Sequence, residues 1–240
     1  MTAPPGVLIT RPEPGAAETA RRVAAQGWTP VLAPALLLAP RPTTALPPAQ
    51  ALLLPSRAAA RALTPRDNPD LPVLAVGEGT AAEARAQGFA QVTAADGDAA
   101  SLTALVAATL RPAAGPLLLA VGEGYSTALA AALRALGFKV LRRVVYAATP
   151  ATALPQAALA ALTAGRVGSA LFFSPRSAAI AAALLRDAGL AEICMTIEAL
   201  ALSPRIAAAL APFPWRCIRA TSQPNPEALL ALLGHRTPSD

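Results

Sequence analysis

The sequence has few of the side chains that enzymes use most often for nucleophilic and metal chemistry. It contains one histidine, His235, near the C-terminus, and two cysteines, Cys194 and Cys217, without C-x-x-C spacing. A single histidine at this place excludes a Ser-His-Asp triad, a histidine general base and a metal site built from histidines. The cysteines lie in apolar segments, and we interpret both as small core residues. Any chemistry must therefore use hydroxyls, carboxylates, arginines or the backbone.

Long apolar runs are absent as well. A membrane-spanning helix needs about 20 consecutive apolar residues. The most apolar stretches of this chain are interrupted, at Pro34, Pro40, Pro155, Arg205 and Pro212. The first residues, MTAPPGVLITRPEPG, have no basic region before a short apolar run, unlike a signal peptide. We expect a cytoplasmic protein without a membrane segment.

The positive charge of the chain is not concentrated. The net charge is +6, yet the arginines are scattered, Lys139 is the only lysine, and aromatic residues make up 4% of the chain. Nucleic-acid binding usually requires a clustered basic surface or aromatic stacking platforms, so we expect no nucleic-acid partner. A small molecule with several negative charges fits the composition better.

One pattern recurs along the chain: an Ala/Leu/Arg-rich helical segment, a glycine followed by an apolar residue, and a short apolar strand. The glycines at these joints are Gly27, Gly88, Gly137 and Gly189. A glycine in this place is typical of a helix that ends in a left-handed residue. Strands that alternate with helices predict a mainly parallel sheet with helices on both faces. The fold class is α/β.

About ten strands are predicted, which suits two five-stranded sheets better than one. Two Pro-flanked, extended segments interrupt the pattern at 34–48 and 139–155. We interpret them as two paired crossing strands, so that residues 36–148 form an inserted domain and residues 1–35 and 149–240 form a discontinuous one. A single sheet with two Pro-rich surface loops remains the alternative.

Hydroxyls and arginines concentrate in the turns that follow predicted strands. In an open α/β sheet, ligands bind where strands end and helices begin. Six such turns occur, at 10–15, 55–59, 76–81, 121–126, 173–177 and 201–205. A hydroxyl beside free amides at a helix start can bind a carboxylate or phosphate, although serine and threonine there are also ordinary helix caps. Six turns of this kind favour an anion site.

The order of these motifs resembles the uroporphyrinogen-III synthase family over essentially the whole chain. The segments that carry the resemblance are VLITRPEPG, LLLPSRAAARAL, VLAVGEGTAAEARAQGF, RALGFKVLRRVVYAAT, ALFFSPRSAAIAAAL and NPEALLALL. The resemblance implies two α/β domains joined by a two-stranded linker. It also implies a substrate, hydroxymethylbilane, that carries eight carboxylates and is closed with loss of water, without metal or cofactor. We expect a monomer.

The resemblance also assigns roles to individual residues. Tyr146, in VVYAAT, matches the tyrosine of the family's linker segment and is the candidate general acid, although a packing tyrosine is the alternative. For substrate binding, the resemblance implies Ser56, Thr80 and Ser174, and indirectly Ser203. The strand-end turns themselves add the candidates Thr10, Arg11, Gly79, Gly122, Gly124 and Arg176. Ser203 stands in LSPRI, where the family often has a threonine; Ser203 or Arg205 takes its place, so the assignment is indirect.

The pentapeptide AVGEG occurs twice, at 75–79 and 120–124. The first copy can also be aligned with a G-x-G-x-x-A dinucleotide fingerprint, which would indicate a nucleotide-dependent oxidoreductase. With the resemblance, we expect the two copies to be neighbouring strand ends of one domain, with Glu78 and Glu123 turned to solvent. A non-catalytic, two-lobed protein that binds or senses an anionic metabolite is the other alternative function.

Overall fold

The computed structural model describes residues 6–41, 46–65, 70–125 and 127–235. Strands and helices alternate along most of this part of the chain, as expected for parallel sheets with helical connections. The chain divides into two compact units, unit 1 (Met1–Leu37 and Thr149–Asp240) and unit 2 (Leu38–Ala148). The boundaries predicted from the sequence were 35/36 and 148/149.

Unit 1 contains a five-stranded parallel sheet. Its strands are β1 (Gly6–Ile9), β2 (Thr29–Leu32), β9 (Val167–Phe172), β10 (Glu198–Ala201) and β11 (Cys217–Ala220). They are ordered β11-β10-β9-β1-β2, and every neighbouring pair is parallel. The helices are α1 (Gly15–Ala25), α6 (Gln156–Thr163), α7 (Pro175–Asp187), α8 (Ala191–Cys194), α9 (Pro204–Leu210) and α10 (Pro226–Ala231).

Unit 2 contains a six-stranded sheet. Its strands are β3 (Leu36–Pro40), β4 (Ala51–Leu54), β5 (Val73–Ala75), β6 (Val92–Ala94), β7 (Leu117–Gly122) and β8 (Val140–Pro150). The order is β3-β8-β7-β4-β5-β6, and the pairs from β8 to β6 are parallel. Its helices are α2 (Arg57–Arg61), α3 (Glu78–Ala86), α4 (Ala99–Thr109) and α5 (Ala128–Ala135).

The chain leaves unit 1 within β3 and returns within β8, and these two strands pair. The Arg41 N–H donates to the Val145 carbonyl (2.8 Å) and the Ala151 N–H donates to the Ala35 carbonyl (2.9 Å). The two strands are therefore antiparallel. The predicted α/β class and the pairing of the two extended segments are confirmed. The expectation of five strands in each domain is wrong for unit 2, because β3 adds a sixth strand at the edge of its sheet.

The four joint glycines confirm the recurring helix-to-strand pattern. Gly27, Gly88, Gly137 and Gly189 have φ values of 85°, 98°, 85° and 71°. Each of them follows the C-cap residue of a helix, at the left-handed position where a side chain would be strained.

Both sheets are covered on both faces, and in unit 2 the two faces are distinct. Strand β4 is buried at every position. Leu53 packs with residues of α4 and α5, on what we call the α4/α5 face. Leu52 and Leu54 pack with residues of α2 and α3, on the α2/α3 face. In the described part of the chain, no helix is long and apolar enough to cross a membrane.

The two AVGEG copies are not at neighbouring strand ends, so that expectation is wrong. The first copy follows β5 and the second ends β7, and β4 lies between these strands. The copies also differ in backbone. Gly77 has an extended φ of −174° and α3 starts at the next residue, whereas β7 continues through Gly122 and Gly124 is left-handed, with a φ of 72°. The pairing of the surrounding strands therefore decides the conformation of this pentapeptide.

The cysteines are both free, but only one is a core residue. Cys194 is buried, whereas Cys217 is exposed because β11 is an edge strand that leaves most of its side chains in solvent. Our interpretation of Cys217 as a core residue is therefore wrong. Burial raises the pKa of Cys194 to about 12, so its thiol stays protonated and unreactive near neutral pH.

We expect iodoacetamide at pH 8 to modify Cys217 in the folded protein and Cys194 only after unfolding in guanidinium chloride. Mass spectrometry of the intact protein and of its peptides measures both modifications. Equal labelling rates for the two thiols in the folded protein would contradict the placement of Cys194.

Candidate functional site

In unit 2, the predicted site residues lie at the carboxyl ends of three adjacent strands. Ser56 follows β4, Gly79 and Thr80 follow β5, and Gly122 ends β7. The carboxyl edge of a parallel sheet is where α/β proteins bind ligands, because helix N-termini point toward it. The fourth contribution comes from β8, which continues past this edge and carries Tyr146.

An irregularity in the pairing of β7 with β8 directs the Tyr146 side chain. Val121 pairs with Val144, but Gly122 pairs with Tyr146, so Val145 is an extra residue. A bulge of this kind interrupts the alternation of side chains between the two faces of a sheet. Val145 and Tyr146 consequently both pack on the α2/α3 face. Regular alternation would have placed Tyr146 on the same face as Val140, which packs on the α4/α5 face.

On this face the Tyr146 ring lies directly over Gly122. An ideal Cβ added to Gly122 would lie 2.5 Å from Cζ and 2.7 Å from the hydroxyl oxygen of Tyr146. A side chain on Gly122 would therefore displace the phenol. Gly122 was predicted to offer its backbone to the substrate, and this structure gives it a second role as the surface on which the ring rests.

The Tyr146 hydroxyl also lies near Ser56. The two oxygens are 3.5 Å apart. Ser56 is the N-cap of α2, and its Oγ accepts a hydrogen bond from the Ala59 N–H (3.1 Å). The serine hydroxyl proton therefore remains available to the Tyr146 oxygen. An oxygen that accepts from serine can still donate its own proton outward, which is the arrangement that a general acid needs.

Tyr125 is a second phenol at this edge, and our sequence analysis did not assign it a role. It packs against the α4/α5 cluster, and its carbonyl accepts from Arg142 Nη2 (3.0 Å). Burial raises the pKa of Tyr125, and the negative charge of an ionised Tyr146 raises it further. The only sequence signal was its place in the turn VGEGYS.

The turn after β5 is organised as a helix start. The Thr80 N–H donates to the Gly77 carbonyl (3.0 Å), and Thr80 is buried within the first turn of α3. Gly79 is exposed, and an added Cβ there would lie 3.7 Å from Arg57 Cδ. Arg57, the first residue of α2, therefore extends alongside this turn and brings a positive charge to the edge.

Both glutamates of the repeat are in solvent, as predicted. The Glu78 side chain is 70% exposed and pairs with Arg85 of the same helix (2.6 Å). The Glu123 side chain is 58% exposed and pairs with Arg41 (2.8 Å). Gly124 follows in an exposed turn. Neither carboxylate is buried against the Tyr146 phenol, so neither opposes an anionic ligand from inside the protein.

In unit 1, Thr10 and Arg11 follow β1. Thr10 is fully buried, and its hydroxyl donates to the Leu171 carbonyl of β9 (2.7 Å). This geometry gives the hydroxyl a structural role, and a substrate contact by Thr10 stays a prediction. The Arg11 guanidinium lies 4.4 Å from the centre of the Phe173 ring and donates to Thr19 Oγ1 (3.3 Å). A Cβ on Gly15 would clash with it. Arg11 is therefore held in a defined position.

Ser174 follows β9, which is next to β1 in the sheet, and Ser203 follows β10, which is next to β9. Ser174 is the N-cap of α7; its Oγ accepts from the Ser177 N–H (3.1 Å) and donates to Ser177 Oγ (2.9 Å). Ser203 is the N-cap of α9 but makes no capping hydrogen bond through its side chain. Arg176, in the first turn of α7, is exposed.

The predicted site residues thus form two groups. Tyr146, Ser56 and Gly122 are in contact in unit 2, with Gly79, Thr80 and Gly124 at the same sheet edge. Thr10, Arg11, Ser174, Arg176 and Ser203 occupy three adjacent strand ends of unit 1. Among the described residues, no group of three or more His, Cys, Asp or Glu could hold a metal ion.

Substitution of Ser174 and of Ser203, the N-cap serines of α7 and α9, tests which of the two hydroxyls stabilises the fold. We expect Ser174→Ala to lower the free energy of unfolding by about 1 kcal/mol, because it removes a capping bond. Ser203→Ala, which removes none, should change it by less than about 0.5 kcal/mol. Urea unfolding followed by circular dichroism measures both values. Similar losses for the two variants would contradict this distinction.

Comparison with known proteins agrees with this architecture. A search of curated proteins gives no match. A uroporphyrinogen-III synthetase structure from Helicobacter pylori is 16% identical, covers 95% of this chain and 98% of its own, and superposes with a TM-score of 0.57. A mutant uroporphyrinogen III synthase from Thermus thermophilus is 18% identical, with 95% and 97% coverage and a TM-score of 0.44. The first of these likenesses supports the fold.

The family comparison covers most of the chain. The family model described as uroporphyrinogen-III synthase HemD matches residues 17–231, which include all the predicted site residues except Thr10 and Arg11. Both units contribute to this match. Such a family consists of enzymes of tetrapyrrole synthesis. The chain belongs to the uroporphyrinogen-III synthase HemD family.

Proposed function

We propose that this chain closes hydroxymethylbilane to uroporphyrinogen III as a cofactor-independent lyase, with loss of water and inversion of the last ring. The observation that carries the proposal is the position of Tyr146. In a chain of this family, its phenol rests on Gly122 beside Ser56, at the carboxyl edge of a parallel sheet. We further propose that the protein acts as a monomer in the cytoplasm.

In the proposed reaction, the Tyr146 phenol donates a proton to the hydroxyl of the substrate's hydroxymethyl group. Water then leaves, and a cation remains on the first ring. The substituted carbon of the last ring attacks this cation and gives a spiro intermediate, which fragments and closes again with that ring inverted. The ring carbon at the new bond then loses its proton, which completes the neutral product and returns a proton to the phenolate. Ser56 supports the first step, because its hydroxyl can donate to the phenol oxygen while negative charge develops there.

The enzyme's larger contribution is conformational. Uncatalysed closure of the substrate gives the uninverted product, so the protein must hold the two ends of the chain in the geometry that favours inversion. We propose that Arg11 and Arg57 bind substrate carboxylates. We propose that the hydroxyls of Thr80 and Ser203 also bind them, together with the turns that contain Gly79, Gly124, Ser174 and Arg176. The fixed position of Arg11 over Phe173 supports this role, because a preorganised guanidinium loses little freedom on binding.

The decisive experiment mixes the purified protein with freshly prepared hydroxymethylbilane. The products are oxidised, and the type I and type III isomers are separated by chromatography. Heat-denatured protein serves as the control for spontaneous closure. We expect type III with active protein and type I in the control. Type I alone in both samples would contradict the enzymatic function and favour a protein that only binds the metabolite.

In the same assay, Tyr146→Phe should lower the rate by about 10- to 100-fold, because the ring still packs on Gly122 but no proton can be donated. Thr80→Ala should lower it less. The product that Tyr146→Phe still forms should remain type III, since the fold selects the inverted closure. A wild-type rate for Tyr146→Phe would remove the acid role while leaving the overall function intact.

Gly122→Ala tests the geometry of the phenol without changing its chemistry. The added methyl group should displace the Tyr146 ring and lower the rate by at least about tenfold, since small displacements of a reacting group are costly in catalysis. The loss of stability should be small, because a side chain moves instead of the sheet. In a Tyr146→Ala background the ring is gone, and the same methyl group should lower the rate no further. A further loss there would show that Gly122 acts independently of Tyr146.

A further inference from the structure

The second AVGEG copy takes part in a set of contacts around Tyr146 that the first copy does not share. Strand β8 lies between β3 and β7 in the sheet. Arg41 follows β3 and Glu123 follows β7, so these residues flank β8 from its two sides. Their side chains meet in an ion pair, with 2.8 Å between Arg41 Nη2 and Glu123 Oε2.

The backbones of the same two residues bind β8 directly. The Arg41 N–H donates to the Val145 carbonyl (2.8 Å), and the Glu123 N–H donates to the Tyr146 carbonyl (3.0 Å). The two β8 residues at the bulge are therefore held from both sides by residues that are themselves linked through their side chains. We use the name β8 clamp for Arg41 and Glu123 together with their ion pair and their two backbone hydrogen bonds to β8.

The first copy of the pentapeptide provides the contrast. Glu78 occupies the equivalent position, is similarly exposed and also pairs with an arginine, Arg85 (2.6 Å). Both of these residues belong to α3, so their ion pair connects two turns of one helix. The Glu78–Arg85 pair joins no strands, and the backbone at Glu78 is helical. The same five residues thus place one glutamate in a local pair and the other in a pair that connects two strands.

We propose that Arg41 and Glu123 are positioning residues that fix the Tyr146 phenol for proton donation. This inference rests on the proposed role of Tyr146. The physical reason is the bulge, where the ladder between β7 and β8 is interrupted and the extra residue, Val145, has no partner in β7. A strand that is irregular at this point needs other contacts to fix its side chains. The β8 clamp supplies two such contacts, one at Val145, the extra residue, and one at Tyr146, the residue after it.

The expected effects follow from the exposure of the pair. An exposed ion pair contributes little to global stability because water and salt screen it. Removing one charge should therefore leave the melting temperature within about 2 °C of the wild type. The position of the phenol is more sensitive, since it depends on local geometry and not on the free energy of the whole fold.

The first test requires no activity. The sequence contains only two tyrosines, so protein labelled with ¹³C at tyrosine Cζ gives two resonances, and Tyr146→Phe assigns them. We expect Glu123→Gln to shift or broaden the Tyr146 resonance. Glu78→Gln, the matched control in the same pentapeptide, should leave it unchanged. An unchanged Tyr146 resonance in Glu123→Gln would overturn the positioning role, whatever the protein catalyses.

The second test uses the reaction. Glu123→Gln should lower kcat by about two- to fivefold with little change in KM, whereas Glu78→Gln should change neither. In a Tyr146→Phe background, Glu123→Gln should have no further effect on kcat. The charge-swapped double variant Arg41→Glu/Glu123→Arg should recover most of the lost rate.

Two kinetic outcomes would overturn the inference. The same loss of kcat with and without the Tyr146 hydroxyl would show that Glu123 does not act through it, and an effect confined to KM would assign Glu123 to substrate binding. Failure of the proposed function is detected separately, by the absence of type III product from the wild-type protein or by full activity of Tyr146→Phe.

Discussion

The register shift between β7 and β8 is the constraint on which the candidate site depends. Because Val145 is an extra residue, Tyr146 packs on the α2/α3 face, where Gly122 supports its ring and Ser56 lies beside its hydroxyl. Regular pairing would have turned the side chain to the other face, away from the α2 cap. A one-residue change in strand pairing moves a side chain across a sheet, so the bulge decides whether these three residues can act together.

The hydroxyls at the strand ends have different roles, and the structure distinguishes them. Thr10 and Thr221 are buried, and their hydroxyls donate to carbonyls of β9 and of the residue after β10, which satisfies their hydrogen-bonding capacity inside the protein. Ser56 and Ser174 cap helices through their side chains, and Ser203 does not. The Ser56 hydroxyl lies beside the Tyr146 oxygen while its Oγ accepts the capping bond from Ala59, so one side chain serves both the helix start and the candidate site.

The two AVGEG copies show how little a short sequence fixes by itself. Both begin in an apolar strand and precede a helix, and both glutamates form exposed ion pairs. The first copy begins a helix immediately, whereas the second extends a strand and then turns at a left-handed glycine. The difference comes from the partners of each strand. β7 must continue far enough to pair with β8 through Tyr146, while β5 has only three residues to pair with its neighbours.

The sequence alone determined the α/β class, the helix-to-strand joints at four glycines, the pairing of the two Pro-flanked segments and the carboxyl strand ends as the place of the candidate site. These features follow from local periodicity and from residues with restricted conformations, which act over a few neighbours. The sixth strand of unit 2, the separation of the AVGEG copies by β4, the exposure of Cys217 and the bulge before Tyr146 were decided by the tertiary structure. Strand order and register depend on contacts between residues far apart in the chain, and hydrophobic periodicity carries no information about which strands become neighbours.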